Sequence, residues 1–147
     1  MGVLKRIGTI FKAKSSAALD KIEDPRQTLD LSYNELNDNL TKVRRAVADV
    51  ATARKRIEIQ QAQVQEQSDK LAAQAKEALR QNNEALAREA LARRQALASQ
   101  LTDLSTQHEQ VAAQEAKLEE TATRLQEQVE SFRVKKETIK ANYTAAQ

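Results

Sequence analysis

The stretch Ala78-Leu79-Arg80-Gln81-Asn82-Asn83-Glu84-Ala85-Leu86-Ala87 is where the apolar rhythm of the chain changes phase. Before it, one seven-residue row runs Leu29, Leu36, Val43, Val50, Ile57, Val64, Leu71 and Ala78. Its companion is Tyr33, Leu40, Val47, Arg54, Gln61, Ser68 and Ala75. After it come Ala90, Leu97, Leu104, Val111, Leu118, Leu125, Phe132 and Ile139. These run beside Ala87, Arg94, Leu101, His108, Glu115, Ala122, Val129, Lys136 and Tyr143. Extending the first register never lands on the second. A 4–3 repeat sustained over this many heptads implies a supercoiled seam between helices. Asn tolerates left-handed backbone and caps helices, so the phase break at Asn82-Asn83 is predicted to be a turn. The expected fold is all-α, with an arm over 25–80, a tip at about 81–83 and an arm over 84–147, folded back as a long antiparallel coiled-coil hairpin.

Composition agrees with the pattern. Aromatic residues make up 3% of the 147, Trp is absent and charged residues reach 31%. Ala, Leu, Val and Ile among Gln, Glu, Lys and Arg can hide a thin seam between helices, but not fill a thick globular centre. The only Gly residues are Gly2 and Gly8 and the only Pro is Pro25, so the 122 residues after Pro25 run without either. Turn-rich β architectures need such residues regularly, which excludes them.

The first arm has a defined start. In Glu23-Asp24-Pro25, Asp24 suits the N-cap and Pro25 the first helical position, where its missing N–H costs nothing. Residues 1–23 are therefore expected to form a separate element, with 24–147 as the hairpin. Over 3–22, Val3, Leu4, Ile7, Ile10, Phe11, Ala18 and Ile22 fall within an arc of about 120° on a helix. Residues 1–22 carry Lys5, Arg6, Lys12, Lys14 and Lys21 against Asp20 alone, a net of +4, so the rest of the +3 chain sums to −1. A short basic amphipathic helix reads as a membrane-surface element attracted to anionic lipid. Its expected contacts are Val3, Leu4, Lys5, Arg6, Ile7, Ile10, Phe11, Lys12 and Lys14.

The chain lacks the parts of an active site. There is no glycine after residue 8 to build a phosphate-binding loop, no Cys, and His108 is the sole histidine. The expectation is no enzyme, no cofactor and no metal site. With its basic excess confined to one end, the chain is expected to bind no specific nucleic acid. No run of about 18 apolar residues is present to span a bilayer as a helix. Absence of Cys and of a secretory apolar block points to a cytoplasmic, peripheral location.

Two groups of hairpin residues stand out. Arg54, His108 and Glu115 are polar intrusions into the seam, where such residues specify register at some cost in stability. With a tip near Asn82, Arg54 comes opposite the His108–Glu115 stretch, and an Arg54–Glu115 ion pair is expected. Leu31, Ile59, Leu91 and Val134 lie off both rows, and Leu79 and Leu86 flank the tip. They are candidates for contacts with further copies, since a thin hairpin buries little surface alone.

Three stretches carry a resemblance to a known family. They are Met1-Gly2-Val3-Leu4-Lys5-Arg6; Glu23-Asp24-Pro25 followed by Leu29, Leu31, Glu35, Asp38, Leu40 and Val43-Arg44; and the tip from Ala78 through Asn82-Asn83 to Leu91. Together they resemble the phage shock protein A family, which includes the vesicle-inducing protein in plastids and is related to ESCRT-III. Asn82 stands where relatives commonly have Gly. The resemblance implies a peripheral, self-assembling protein that forms rods or rings and stabilises or remodels the bacterial cytoplasmic membrane under envelope stress. It also implies the alternative of a regulatory module whose hairpin inhibits an AAA+ transcriptional activator. Pro25, Arg44 and the tip are carried over as assembly or partner contacts. Relatives continue past a point like Gln147 into further helices, so the resemblance implies that such helices are missing here.

Overall fold

The computed structural model describes residues 24–146, and the element expected over 1–23 lies outside them. Helix α1 spans Pro25–Arg80 and helix α2 spans Glu84–Ala146, with no strand among the described residues. The two pack against each other as an all-α helical hairpin.

The start of α1 and both helix ends at the tip are built by short-range devices. Asp24 Oδ1 accepts the Arg26 backbone N–H at 3.0 Å, which satisfies one of the orphan donors of the first turn. Pro25 follows as the first helical residue. At the tip, Asn82 has φ 59°, the one non-glycine residue with positive φ among those described. The Asn83 N–H donates to the Ala78 carbonyl at 2.8 Å and the Asn82 N–H to the Leu79 carbonyl at 3.0 Å. That pair of bonds is a Schellman motif, which uses a left-handed residue to satisfy the last carbonyls of a helix. Asn83 then caps α2: its Oδ1 accepts the Leu86 N–H at 3.1 Å and its carbonyl accepts the Ala87 N–H at 3.2 Å. The two properties of Asn that marked the turn are divided, one to each residue.

Two compact units divide the hairpin: 24–46 with 118–146, and Val47–Lys117. In the first, Leu29, Leu36, Leu40, Val129 and Phe132 form a buried cluster, with Tyr33, Ala122, Leu125 and Ile139 packed against it. Leu29 and Leu36 are each only 1% exposed. Tyr33 stacks on Phe132 with ring centroids 6.4 Å apart. In the second unit, Val64, Ala75, Ala78, Ala87, Ala90 and Leu104 are buried.

The heptad rows are the buried rows. Every residue in them is buried or half-buried except Arg94, which is exposed. Arg94 still donates its Nε–H to Ser68 Oγ, 3.3 Å away, so its guanidinium reaches the seam although the residue as a whole is exposed. One buried residue, Ser32, belongs to neither row.

Candidate functional site

The nine residues expected to touch a membrane, Val3, Leu4, Lys5, Arg6, Ile7, Ile10, Phe11, Lys12 and Lys14, lie outside the described residues. Candidate sites on the hairpin fall into three groups.

First are the apolar side chains off the seam. Leu31 is 63% exposed and Leu79 54%, and Ile59, Leu86, Leu91 and Val134 are also exposed. Helical spacing explains this. At about 100° per residue, Leu31 sits two positions past Leu29 and points away from the seam that Leu29 enters. Leu79 lies in the last turns of α1, and Leu86 in the first turn of α2. Around them, Arg80 pairs with Glu77 at 2.8 Å and Arg88 with Glu84 at 3.6 Å. The tip thus presents leucine flanked by charges that are already neutralised locally. Scattered exposed leucines are ordinary on a protein surface, and what singles these out is their position beside the turn.

Second is Arg44, which is exposed and donates an Nη2 hydrogen bond to Gln126 Oε1 on α2, 3.0 Å away. Pro25, half-buried at the start of α1, is held between the Asp24 cap and Arg26. The Arg26 guanidinium also pairs with the Asp24 carboxylate at 2.7 Å and lies over the Tyr143 ring, 5.2 Å from its centroid. Nearby, Asp30 accepts from Lys140 at 2.8 Å and from Lys136 at 3.3 Å. Lys136 in turn sits 4.1 Å from the centre of the Tyr33 ring. The Lys140 hydrogen bond, followed by that from Lys136, holds the Asp30 carboxyl below its ordinary range.

Third is the polar layer in the seam. Arg54 Nε donates to Glu115 Oε2 at 2.7 Å, so the register brings these two residues together. Arg54 Nη1 donates to Glu58 Oε1 at 2.6 Å, one turn along α1. The His108 ring nitrogen Nε2 lies 3.2 Å from the same Glu58 oxygen. A carboxylate only accepts, so the ring N–H donates. The Glu115 bond, then that of Glu58, holds the Arg54 guanidinium above its ordinary range. His108, then Arg54, holds the Glu58 carboxyl below its own. Glu58 lies outside both heptad rows, so the seam pattern did not identify it; the i,i+4 spacing from Arg54 was the available signal.

The layer is made of mutually satisfied partners. Among the described residues no buried side-chain nitrogen or oxygen lacks a hydrogen bond. No group of three or more His, Cys, Asp or Glu among them could hold a metal ion. No described helix is long and apolar enough to cross a membrane. What the hairpin offers is surface: exposed leucines, an exposed Arg44, and a seam that has used up its own partners.

Comparison with known proteins bears on what such a surface belongs to. A family model described as PspA/IM30 family matches residues 2–147. The chain is 34% identical to the Membrane-associated protein VIPP1, chloroplastic, of Oryza sativa subsp. japonica over 144 residues, which cover 98% of this chain and 45% of that protein. It is 29% identical to the Membrane-associated protein Vipp1 of Nostoc punctiforme over 146 residues, 99% of this chain and 57% of the relative. To the Phage shock protein A homolog of Bacillus subtilis it is 28% identical over 146 residues, 99% of this chain and 64% of that one. The chain spans about half the length of the curated relatives it matches. With the helical hairpin, its capped start and its Asn tip in place, these matches along nearly the whole chain decide its kinship: it belongs to the PspA/IM30 family.

Proposed function

We propose that this chain is a peripheral, self-assembling protein of the cytoplasmic face of a bacterial membrane, stabilising or remodelling the bilayer under envelope stress. The observation that carries this reading is the pattern of residues 1–22, a net +4 joined to an apolar arc of Val3, Leu4, Ile7, Ile10 and Phe11. A basic amphipathic segment gains about 1 kcal/mol per Lys or Arg near an anionic surface, and its apolar face adds burial at the headgroup boundary. For a single copy that gain is opposed by the cost of ordering the segment. Many copies displayed on one polymer bind by avidity, which ties membrane binding to self-assembly. Leu31, Ile59, Leu79, Leu86, Leu91 and Arg44 are the contacts proposed between copies. The names of the Oryza and Nostoc relatives, membrane-associated proteins both, support the membrane half of the reading.

The test is deletion of residues 2–22. Sedimentation with anionic vesicles should fall sharply while far-ultraviolet circular dichroism keeps the helical signal of the hairpin. Unchanged sedimentation refutes the proposal. If instead the deletion keeps full cellular function and partner binding, the hairpin acts as a soluble module on another protein, such as an AAA+ transcriptional activator.

A further inference from the structure

Helix propensity alone would let α1 run on into α2. No Gly or Pro follows Pro25, and the tip is bracketed by Leu79, Arg80, Gln81, Glu84, Ala85 and Leu86, all good helix formers. Only the left-handed Asn82, at φ 59°, and the Asn83 cap interrupt the helix. The alternative to the hairpin is therefore one continuous helix, which has to bury its seam residues against another copy of the chain.

The phase of the seam decides what such a helix could pair with. Within the unit Val47–Lys117, Ala75 and Ala78 are buried on α1, and Ala87 and Ala90 on α2. Ala87 follows Ala75, and Ala90 follows Ala78, by twelve residues. On a helix running through the tip, that spacing turns the buried strip by about 120° if the helix is straight. It turns it by about 155° if the helix is wound to 3.5 residues per turn. A two-row coiled-coil seam is narrower than either angle. One partner lying along the α1 strip would leave the α2 strip in water. In the hairpin the reversal at Asn82-Asn83 removes the mismatch by setting the strips face to face. Arg54 then meets Glu115 at 2.7 Å, and Ser68 meets Arg94 at 3.3 Å.

We infer that the seam has a second partner, another copy of this chain, and that the phase break at the tip excludes a closed pair of two straightened copies. Folded at the tip, each chain satisfies both of its strips. Opened there, its α1 strip takes the α2 strip of a second copy and its α2 strip takes the α1 strip of a third. The exchange then runs on as an open row, as head-to-tail contacts that do not close must. Asn82 and Asn83 hold the balance on the hairpin side, because one tolerates the left-handed turn and the other caps α2. This route between copies goes beyond the membrane reading, and it uses neither residues 1–22 nor the exposed leucines.

Cross-linking of the full chain tests this. The sequence has no Cys, so Arg54→Cys with Glu115→Cys places one thiol on each seam partner, and a short bismaleimide reports which chains they join. The protein is refolded from urea without lipid at rising concentration, linked, and run on a denaturing gel. With the native tip the link should stay within one chain. Gln81→Ala, Asn82→Ala and Asn83→Ala together remove the cap and the left-handed Asn, and should favour exchange by roughly thirtyfold. At about millimolar protein, where a second chain competes with the tethered arm, this variant should give a ladder of linked trimers and longer products. Two further alanines inserted after residue 83 of that variant space the strips by two whole heptads and put them in phase, so doubly linked dimers should replace the ladder. Closed dimers from the three-alanine tip, a ladder from the lengthened tip, internal links alone from either, or an equal ladder from the native tip would overturn the inference.

Discussion

Substitutions at Asn82 and Asn83 should separate two adjacent, identical residues by their opposite conformational demands. Asn82 sits at φ 59°, where an L-residue with a Cβ is strained. The cost for a typical residue is about 1–2 kcal/mol, and Asn escapes part of it. Asn82→Ala should therefore cost about 1 kcal/mol, and the β-branched Asn82→Val more, near 2 kcal/mol. Asn82→Gly relieves the strain but adds about 0.5–1 kcal/mol of unfolded-chain entropy, so its net effect should lie within roughly 0.5 kcal/mol of zero. Asn83 carries the opposite demand, because what matters there is the Oδ1 that accepts the Leu86 N–H at 3.1 Å. Asn83→Ala should cost about 1 kcal/mol, while Asn83→Asp or Asn83→Ser should be nearly neutral. For a chain of this size 1 kcal/mol moves the melting temperature by about 2–4 °C. Thermal and urea unfolding followed at 222 nm resolve such shifts. If Asn82→Gly destabilises as much as Asn82→Ala, or if Asn83→Ser is as harmful as Asn83→Ala, the assignment of the Schellman residue and the cap is wrong.

Other outcomes follow from the packing and the charges. Leu36→Ala, at a site 1% exposed, should cost about 3 kcal/mol through lost burial and the cavity left behind, measured as a lower urea midpoint. Leu31→Ala, at 63% exposure, should leave unfolding unchanged within about 0.5 kcal/mol yet weaken self-assembly in sedimentation velocity; a large stability loss would place Leu31 in the core instead. The Asp30 and Glu58 carboxyls are held below their ordinary range in the folded chain, by Lys140 and by His108 respectively. A depressed carboxyl contributes stability that is fully present above its unfolded value and is lost as pH falls through the lower folded one. Stability from these two groups should hold from neutral pH down to about 4.3 and decline below it, and Lys140→Met should flatten the part of that decline due to Asp30. A decline that begins near pH 6 would point to other groups.

The seam was legible because its signal is redundant. A seven-residue row keeps its meaning when one member departs, and Arg94 shows the limit: the row located it beside Ser68 at the seam, while most of its long side chain stays exposed. Partners lying beside the seam were harder to read. Ser32 is buried and Glu58 completes the polar layer, yet neither falls on a 4–3 position, because helices of finite width also bury or bridge residues flanking the row. Tertiary proximity decided the rest. That Lys136 and Lys140 converge on Asp30, across 106 and 110 positions, depends on the stagger of the arms to within one turn.

Within the unit Val47–Lys117 the stagger of the two helices starts from one place. With Asn82 as the Schellman residue and Asn83 as the next cap, the connection has no slack, so α2 leaves the turn with a single phase relative to α1. Sliding either arm by one heptad would require helix residues to be melted at the tip and the two caps to be rebuilt on residues that lack an Asn side chain. The same stagger sets Arg54 beside Glu115 within that unit. The tip therefore does more than reverse the chain. It starts the register that the polar seam residues Arg54, His108 and Glu115 then match.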